Sequence, residues 1–247
     1  MIDEERFEQI KNKITNSNRE RIGIGTLSEK TVHAILKEYY EPDTDYHEIP
    51  IEGYVADIYK DNEIIEIQTA NFNRMRSKLD RFLPLYPVTI IYPIPRMKWL
   101  IWIDEETGQL SKKNKSPKRG SFYEAFRELY KIKQYLADTN LRIKIVMLDI
   151  EEYRLLNGWS KDRKRGSCRY DRIPLKIVEE FDLSNVRDYM QLVPFDMPDR
   201  FTTKNYAKAA KVSISIAQTA LNILNHVGVV KRVGKLGNSF LYEVMEG

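Results

Sequence analysis

The spacing of apolar residues predicts two helices at the start of the chain. Phe7, Ile10 and Ile14 recur every three to four positions, so residues 3–17 are expected to form an amphipathic helix. The same spacing predicts a second helix over about 28–41. Each helix would pack its apolar face against a neighbouring element, as amphipathic helices of globular proteins do.

After the second helix, the alternation typical of β-strands replaces the helical spacing. Asp61 and Asn62 are a turn signal between two alternating runs, and Pro84 ends a helical run. The predicted elements of this part are strands at 47–50, 53–60, 63–69, 88–92, 98–103 and 142–150, and helices at 72–83 and about 121–136. Residues 1–155 are therefore predicted to form a mixed α/β domain.

The remainder of the chain predicts a connecting segment and a second small domain. Residues 156–198 show no clear period and predict a basic loop followed by a linker. Residues 199–247 predict two helices, capped by Thr202 and Ser213, and a final pair of strands at 229–233 and 240–244. The second of these helices has an apolar stripe that should be buried, formed by Ala217, Ala220, Leu221 and Leu224.

The net charge of +4 is unevenly distributed along the chain. Residues 200–247 contain seven Lys and Arg residues against two Glu residues, whereas the rest of the chain is nearly balanced. A basic C-terminal module of this kind indicates an anionic partner, such as nucleic acid.

The composition excludes several kinds of site. A single cysteine, Cys168, cannot form an intramolecular disulfide or a cysteine-based zinc site, and three histidines argue against a histidine-rich metal centre. The N-terminal residues lack the apolar segment of a signal peptide, and the most apolar stretch, 83–95, contains four prolines and is too short to span a bilayer. These features predict a soluble cytoplasmic protein with no membrane partner.

The predicted hairpin carries two carboxylates that should face each other. If its turn has two residues, Lys60 pairs with Glu63, and Asp57 then lies opposite Glu66. Side chains opposed in this way have Cβ atoms about 4.5–5.5 Å apart, and two like charges there repel each other. Water, a shared proton or a bound cation must offset the repulsion.

Two interpretations of this pair are open from the sequence alone. In the first, the carboxylates belong to the solvated polar face of the hairpin. In the second, Asp57, Glu66 and the carbonyl oxygen of Ile67 bind Mg²⁺, an ion that prefers oxygen ligands and retains several waters. Glu29, at the start of the predicted second helix, would then approach the same ion. Such an ion activates a bound water and stabilises charge that develops on a phosphate.

The helix predicted at 72–83 favours the second interpretation. It contains four basic residues: Arg74, Arg76, Lys78 and Arg81. A basic helix beside an acidic site suits an enzyme that acts on phosphodiesters, because phosphates must approach despite the carboxylates. The alternative is an ordinary solvated helix face.

These residues, and the order of the predicted elements, resemble the PD-(D/E)XK nuclease superfamily, whose restriction-endonuclease-like core has the order αβββαβ. The resemblance covers about residues 20–95. It implies an α/β fold with a mixed sheet flanked by helices, and hydrolysis of DNA phosphodiester bonds that depends on Mg²⁺, with Mn²⁺ as a substitute. It would make Glu29, Asp57, Glu66 and Gln68 the catalytic residues, with Asp57, Glu66 and Ile67 holding the metal.

Two positions depart from the pattern of that family. Ala56 precedes Asp57 where the motif has proline, and Gln68 replaces the usual lysine. An amide can hold a water by hydrogen bonds but supplies no positive charge. Lys78 is a candidate for the missing charge. Loss of activity is the alternative, and the chain would then be a non-catalytic DNA-binding protein with a degenerate nuclease fold.

Residues 199–247 resemble a winged helix-turn-helix domain. This implies binding of double-stranded DNA, with the second helix in the major groove and the last two strands as the wing. A winged helix that binds protein is the alternative. The residues predicted to contact DNA are Arg74, Lys78, Arg163, Lys164, Arg165, Gln218, Asn222, Lys231, Arg232 and Lys235. A role in defence or repair would follow, and the sequence leaves open whether the protein is a monomer or a homodimer.

Overall fold

The computed structural model describes residues 2–20, 30–157 and 166–245. Its α-helices are α1 (Glu4–Glu20), α2 (Lys30–Tyr40), α3 (Arg76–Phe82), α4 (Phe126–Leu129), α5 (Thr203–Ala209) and α6 (Ile214–His226). Short 3-10 helices cover Thr44–Tyr46, Phe72–Met75, Phe122–Ala125, Tyr130–Tyr135 and Val186–Leu192. Within these described ranges, no helix has the length and apolar character needed to cross a membrane.

The strands form two sheets. They are β1 (His47–Ile51), β2 (Tyr54–Lys60), β3 (Glu63–Ile67), β4 (Val88–Asp104), β5 (Asn114–Lys115), β6 (Leu141–Leu156), β7 (Cys168–Leu183), β8 (Phe201–Thr202), β9 (Val230–Leu236) and β10 (Ser239–Val244). The larger sheet has the order β1-β2-β3-β4-β6-β7, with β5 paired to β4. Because β2 and β3 are antiparallel and β3 and β4 are parallel, this sheet is mixed. The predicted α/β class, with a mixed sheet flanked by helices, is confirmed.

Contacts between residues divide the chain into two compact units. Unit 1 consists of Met1–Glu48, Pro93–Ser121 and Val146–Glu180, and unit 2 of Ile49–Tyr92, Phe122–Ile145 and Phe181–Gly247. Each unit combines segments that are far apart in sequence. The sequence predicts separate domains for the carboxylate hairpin and for residues 199–247, but both belong to unit 2.

In unit 2, α3 packs on the hairpin formed by β2 and β3. Leu79 and Phe82, three residues apart on one face of α3, are completely buried. The ring of Phe82 meets that of Tyr54 in β2 edge to face, with 6.0 Å between the ring centroids. Burial of side chains of this size contributes about 2 kcal/mol each to stability. This packing fixes α3, and therefore Lys78, beside the hairpin.

The long strand β4 differs from the sequence prediction of separate strands at 88–92 and 98–103, because it continues through Pro93 and Pro95. Proline holds φ in a range compatible with an extended chain and lacks only its N–H, so a strand accepts it where that donor is not needed. Neighbouring residues instead donate to carbonyl oxygens of β4, as Gly120 does to Arg96.

The prediction of a loop and linker over 156–198 is wrong for the residues of β7. The charged residues of β7 interrupt the alternation of apolar and polar positions that predicts a strand. One of them, Arg172, nevertheless lies within the sheet, where it pairs with the buried Glu152 of β6. The helix predicted over about 121–136 is also interrupted, since Ile132 has a non-helical backbone with φ of −116° and ψ of 22°. Residues 158–165 of the predicted loop lie outside the described part of the chain.

Residues 199–245 form β8, α5, α6, β9 and β10, and their three strands have the order β8-β10-β9. The Thr202 hydroxyl caps α5 by accepting a hydrogen bond from the backbone N–H of Asn205. The Ser213 hydroxyl caps α6 by accepting one from the backbone N–H of Ile216. Both predicted caps are therefore confirmed. The predicted stripe of Ala217, Ala220, Leu221 and Leu224 is completely buried.

Candidate active site

The turn of the β2–β3 hairpin sets the register of its strands. Asp61 and Asn62 are both left-handed, with φ of 50° and 64°, as a two-residue hairpin turn requires. Lys60 pairs with Glu63, and Ile58 pairs with Ile65. The predicted register is thus confirmed over these pairs. Beyond them Asp57 and Glu66 remain neighbours, because the Asp57 carboxylate accepts a hydrogen bond from the residue after Glu66 and acts electrostatically on Glu66.

The two carboxylates of the hairpin are held in different surroundings. The side chain of Asp57 is half-buried, and its Oδ2 accepts a hydrogen bond of 2.8 Å from the backbone N–H of Ile67. Glu66 is only 2% exposed. A solvated polar face does not describe a carboxylate with so little contact with water, so the first of the two interpretations does not hold for Glu66.

Lys78 of α3 provides the positive charge beside this pair. Its Nζ donates to both carboxylate oxygens of Glu66, at 2.9 and 2.8 Å, and to the backbone carbonyl oxygen of Val55 at 2.7 Å. The sequence predicts Lys78 both as a DNA contact and as the source of the missing charge. The structure places its ammonium group on Glu66.

The pKa of Glu66 reflects these neighbours. Burial and the nearby Asp57 carboxylate raise the pKa of Glu66 to about 7, against the lowering effect of Lys78. Glu66 therefore titrates near neutral pH. A carboxyl group with a pKa close to the working pH is a common feature of functional sites, although buried ion pairs also produce one.

Gln68 lies at the end of β3. Its backbone N–H donates to the carbonyl oxygen of Ile91 at 2.9 Å, and its side-chain amide donates to the carbonyl oxygen of Ala70. The bond to Ala70 fixes the orientation of the Gln68 side chain through its amide nitrogen. Gln68 keeps an acceptor oxygen on that amide, which is the atom relevant to its predicted role in holding a water.

The remaining predicted residues of this site are distributed as follows. Arg74 is exposed in the 3-10 helix Phe72–Met75. Glu29 and the three arginine and lysine residues 163–165 fall outside the ranges that the structure describes. The structure thus brings Asp57, Glu66 and Lys78 together.

Asp57 and Glu66 offer carboxylate oxygens, the ligands that a hard cation prefers, while Lys78 already occupies both oxygens of Glu66 with hydrogen bonds. Among the described residues, no group of three or more His, Cys, Asp or Glu side chains could hold a metal ion. An ion at Asp57 and Glu66 would therefore complete its shell with waters and a backbone carbonyl, for which Ile67 is the predicted donor. Mg²⁺ is usually bound in this way, by one or two carboxylates and several waters.

Glu128 supports the segment that leads into α3, and sequence reasoning missed it. Its Oε2 accepts a hydrogen bond of 2.8 Å from the backbone N–H of Phe72, and its Oε1 accepts one of 2.5 Å from Lys131. These bonds anchor the start of the segment that carries Lys78. Glu128 lies in a predicted helix with ordinary spacing, so no local signal could have identified it.

The predicted DNA-contact residues of α6 lie on its exposed side. Gln218 and Asn222 are both exposed. The Asn222 amide oxygen also accepts a hydrogen bond of 3.0 Å from Lys133, in the 3-10 helix Tyr130–Tyr135. α6 itself packs against α4 and α5.

The predicted wing residues Lys231, Arg232 and Lys235 are exposed on β9. The guanidinium carbon of Arg232 lies 3.4 Å from the ring centroid of Phe240 in β10, and the Lys235 Nζ lies 5.4 Å from it. The ring therefore holds two cations on the surface of the hairpin. The sequence predicts Phe240 only as part of a strand.

Comparison with known proteins shows which family the chain belongs to. Residues 30–184, well over half of the chain, match the family described as "Domain of unknown function (DUF8091)". The matched range includes Asp57, Glu66 and Lys78. The chain is also 27% identical, over 226 residues, to an uncharacterized protein of Treponema pallidum (strain Nichols), a match that covers 89% of this chain and 86% of that protein. No solved structure matches the chain. The chain thus belongs to the DUF8091 family.

Proposed function

We propose that this protein is a Mg²⁺-dependent nuclease that hydrolyses phosphodiester bonds in double-stranded DNA. The observation that carries the proposal is the buried Glu66, which lies near Asp57 on one hairpin and is bonded through both oxygens to Lys78. The chain order α2, β1, β2, β3, α3, β4 supports a restriction-endonuclease-like core around this pair.

In this proposal each residue of the site has a distinct role. Asp57 and Glu66 hold the ion, with the Ile67 carbonyl oxygen. Mg²⁺, or Mn²⁺ in its place, supplies a more acidic bound water and stabilises negative charge on the phosphate. Gln68 holds a water through its amide oxygen, and Lys78 supplies the positive charge that an amide at position 68 lacks. Glu29 is proposed as a further contact of the metal or the water.

The C-terminal segment supports the DNA-binding part of the proposal. Its strand order β8-β10-β9 around two capped helices is consistent with a winged helix. Gln218 and Asn222 offer amides to base edges, while Lys231, Arg232 and Lys235 offer charge to phosphates. Arg74 adds an exposed cation on the segment that precedes α3.

A second candidate function is a DNA-binding protein without catalytic activity. The observation that favours it is the same ion pair, because Lys78 neutralises Glu66 without a metal. Catalytic activity would then have been lost together with the motif lysine, and Gln68 would be a consequence of that loss. Both candidates predict DNA binding, and they differ in cleavage.

The test of the proposed function is cleavage of supercoiled plasmid by the full chain. Nicked or linear product is expected with Mg²⁺ or Mn²⁺, and no product with EDTA. If intact plasmid is recovered with either metal while the protein still binds a labelled duplex, the nuclease proposal is wrong and the non-catalytic candidate takes its place.

The wing assignment predicts a charge effect on DNA affinity. Replacing Lys231 and Lys235 together with glutamine should weaken duplex binding and lower the dependence of log K on log salt by roughly 0.9 for each phosphate that the variant no longer neutralises. Fluorescence anisotropy of a labelled duplex, measured over a range of salt concentrations, checks this. The matched control replaces Lys204 and Lys208 of α5 in the same way. Equal weakening by the two pairs would show general charge attraction and contradict a wing contact.

A further inference from the structure

Lys78 makes as many hydrogen bonds as a lysine has N–H donors. An ammonium group has three such donors and no acceptor. Lys78 bonds to both carboxylate oxygens of Glu66, at 2.9 and 2.8 Å, and to the backbone carbonyl oxygen of Val55 at 2.7 Å. Its ammonium group is therefore available to a water or a phosphate only after it gives up one of these contacts.

Two of the contacts use atoms that the proposed ion requires. Mg²⁺ binds carboxylate oxygens directly, and in the proposed function those oxygens come from Asp57 and Glu66. When ionised, the two carboxylates carry one net negative charge with Lys78 in place and two without it. Because Glu66 is buried, repulsion between a divalent ion and the ammonium group is weakly screened there. Lys78 and a divalent ion therefore compete for Glu66.

The lysine is the partner that has room to move. Its side chain is 22% exposed, whereas that of Glu66 is 3% exposed. Burial of Leu79 and Phe82 keeps α3 in place, but the flexible four-carbon stem of Lys78 can turn without a shift of the helix. The Val55 carbonyl oxygen is not part of the carboxylate pair, so that bond can hold the ammonium group at the edge of the site.

We propose that Lys78 pairs with Glu66 only while no divalent ion is bound, and that its ammonium group leaves the carboxylate when an ion binds there. Lys78 then keeps its bond to the Val55 carbonyl oxygen, and its two released donors serve the water or the phosphate. The inference rests on the proposed function in one respect, the presence of the ion at Asp57 and Glu66. It does not require cleavage.

A permanent ion pair between Lys78 and Glu66 would behave differently. Lys78 would then remain on the carboxylate whether or not metal is present, and its removal would not improve metal binding. Release predicts two effects that a permanent pair does not, namely a lysine that becomes reactive when metal is added and a metal affinity that rises when the lysine is removed.

Lysine acetylation of the wild-type full chain measures the first effect. The protein is treated with N-hydroxysuccinimidyl acetate with Mg²⁺ or with EDTA, and the rate at each lysine is read by mass spectrometry of peptides. The matched control within the same molecule is Lys131, which pairs with Glu128 and has a side chain of similar exposure, 30%. Lys131 lies away from the carboxylate pair, so its rate should not depend on metal.

Mg²⁺ should speed acetylation of Lys78 about tenfold, the scale expected when a charged hydrogen bond no longer holds the amine. In Glu66→Gln, which lacks both the carboxylate and the metal ligand, Lys78 should react quickly with or without Mg²⁺. If the rate at Lys78 in the wild type is the same with EDTA and at every Mg²⁺ concentration, Lys78 stays on Glu66 and the proposal is wrong.

The affinity for Mn²⁺ measures the second effect. Lys78→Met should bind Mn²⁺ about tenfold more tightly than the wild type, because the ion no longer has to break a charged hydrogen bond. Lys131→Met should match the wild type. Free Mn²⁺ is followed by electron paramagnetic resonance, without DNA and under nitrogen, at about pH 8.5, where protons compete least for the carboxylates. Equal affinities of the two variants would contradict the competition, and if Lys78→Met does not fold, acetylation of the wild type decides alone.

Plasmid cleavage by the same preparations separates this inference from the proposed function. If acetylation of Lys78 responds to Mg²⁺ but the plasmid stays intact, the release of Lys78 holds and the nuclease proposal is wrong. If the plasmid is cleaved but acetylation of Lys78 does not respond, the nuclease proposal holds and the release of Lys78 is wrong.

Discussion

Asp57→Asn is expected to lower Mg²⁺-dependent plasmid cleavage by about three orders of magnitude, the scale found when one electrostatic contact to a developing charge is removed. The substitution keeps the shape of the side chain, so the amide can still meet the backbone N–H of Ile67 through its oxygen. It removes the charge that the proposed ion requires. Duplex affinity should stay within about twofold of the wild type, because the substitution removes no Lys or Arg that contacts a phosphate.

The hairpin offers a matched control for this experiment. Asp61→Asn removes the same charge four residues away, in a turn where asparagine tolerates the left-handed backbone. It should leave cleavage unchanged. If Asp57→Asn cleaves as fast as Asp61→Asn, Asp57 has no part in the chemistry and the assignment of the site is wrong.

Lys78→Met extends this prediction to α3. Methionine retains much of the apolar length of lysine but leaves Glu66 without its ammonium partner. Cleavage at neutral pH should fall about a hundredfold, the scale expected when an electrostatic interaction of this kind is removed. If cleavage by Lys78→Met equals that of the wild type, Lys78 does not replace the motif lysine.

The free energy of unfolding is expected to fall by about 3 kcal/mol between pH 4.5 and pH 7 through Glu66 alone, in buffer without divalent metal. The ordinary pKa of a glutamate is 4.5, and burial with the Asp57 charge raises the pKa of Glu66 to about 7 in the folded protein. Between these values the folded chain binds more protons than the unfolded chain, so stability decreases as pH rises. The penalty is absent below pH 4.5 and complete above pH 7.

Urea denaturation at several pH values, with EDTA present, measures this slope. Glu66→Gln should remove this pH dependence, so the free energy of unfolding of the variant should rise relative to that of the wild type as pH increases. Glu63→Gln, which removes a carboxylate from the same strand, should keep the wild-type slope. A parallel pH dependence for the wild type and Glu66→Gln would show that Glu66 titrates at its ordinary pKa.

Added Mg²⁺ gives this measurement a second use. At pH 7.5 the ion should raise the free energy of unfolding of the wild type, because a ligand that binds only the folded state stabilises it by mass action. Glu66→Gln should respond much less. An equal response of both proteins would place the bound Mg²⁺ elsewhere on the molecule, and would count against the proposed metal site.

The sequence determined those features that depend on neighbours along the chain. Asp61 and Asn62 specify a two-residue turn, and the turn sets the register in which Lys60 pairs with Glu63 and Ile58 with Ile65. Thr202 and Ser213 mark the starts of α5 and α6 for the same reason, since a cap acts within one helical turn. Periods and turns are short-range properties, so a single sequence displays them.

Local signals misled where packing overrode them. The sequence predicted separate strands at 88–92 and 98–103, but β4 continues without a break through Pro93 and Pro95. The charges of β7 suggested a loop, but Arg172 has a buried partner in Glu152. For β7 the deciding residue lies on a different strand, 20 positions away in sequence.

Only the tertiary structure decided how the charged groups around Glu66 and Glu152 are assembled. The sequence suggested Lys78 as a substitute charge, but the packing of Leu79 and Phe82 is what places its ammonium group on both oxygens of Glu66. Burial of Glu66, and with it the raised pKa, likewise depends on elements that cover the hairpin. The arginines around Glu152 come from β6 and β7. Contacts between distant segments depend on how the whole chain packs, and no local period encodes them.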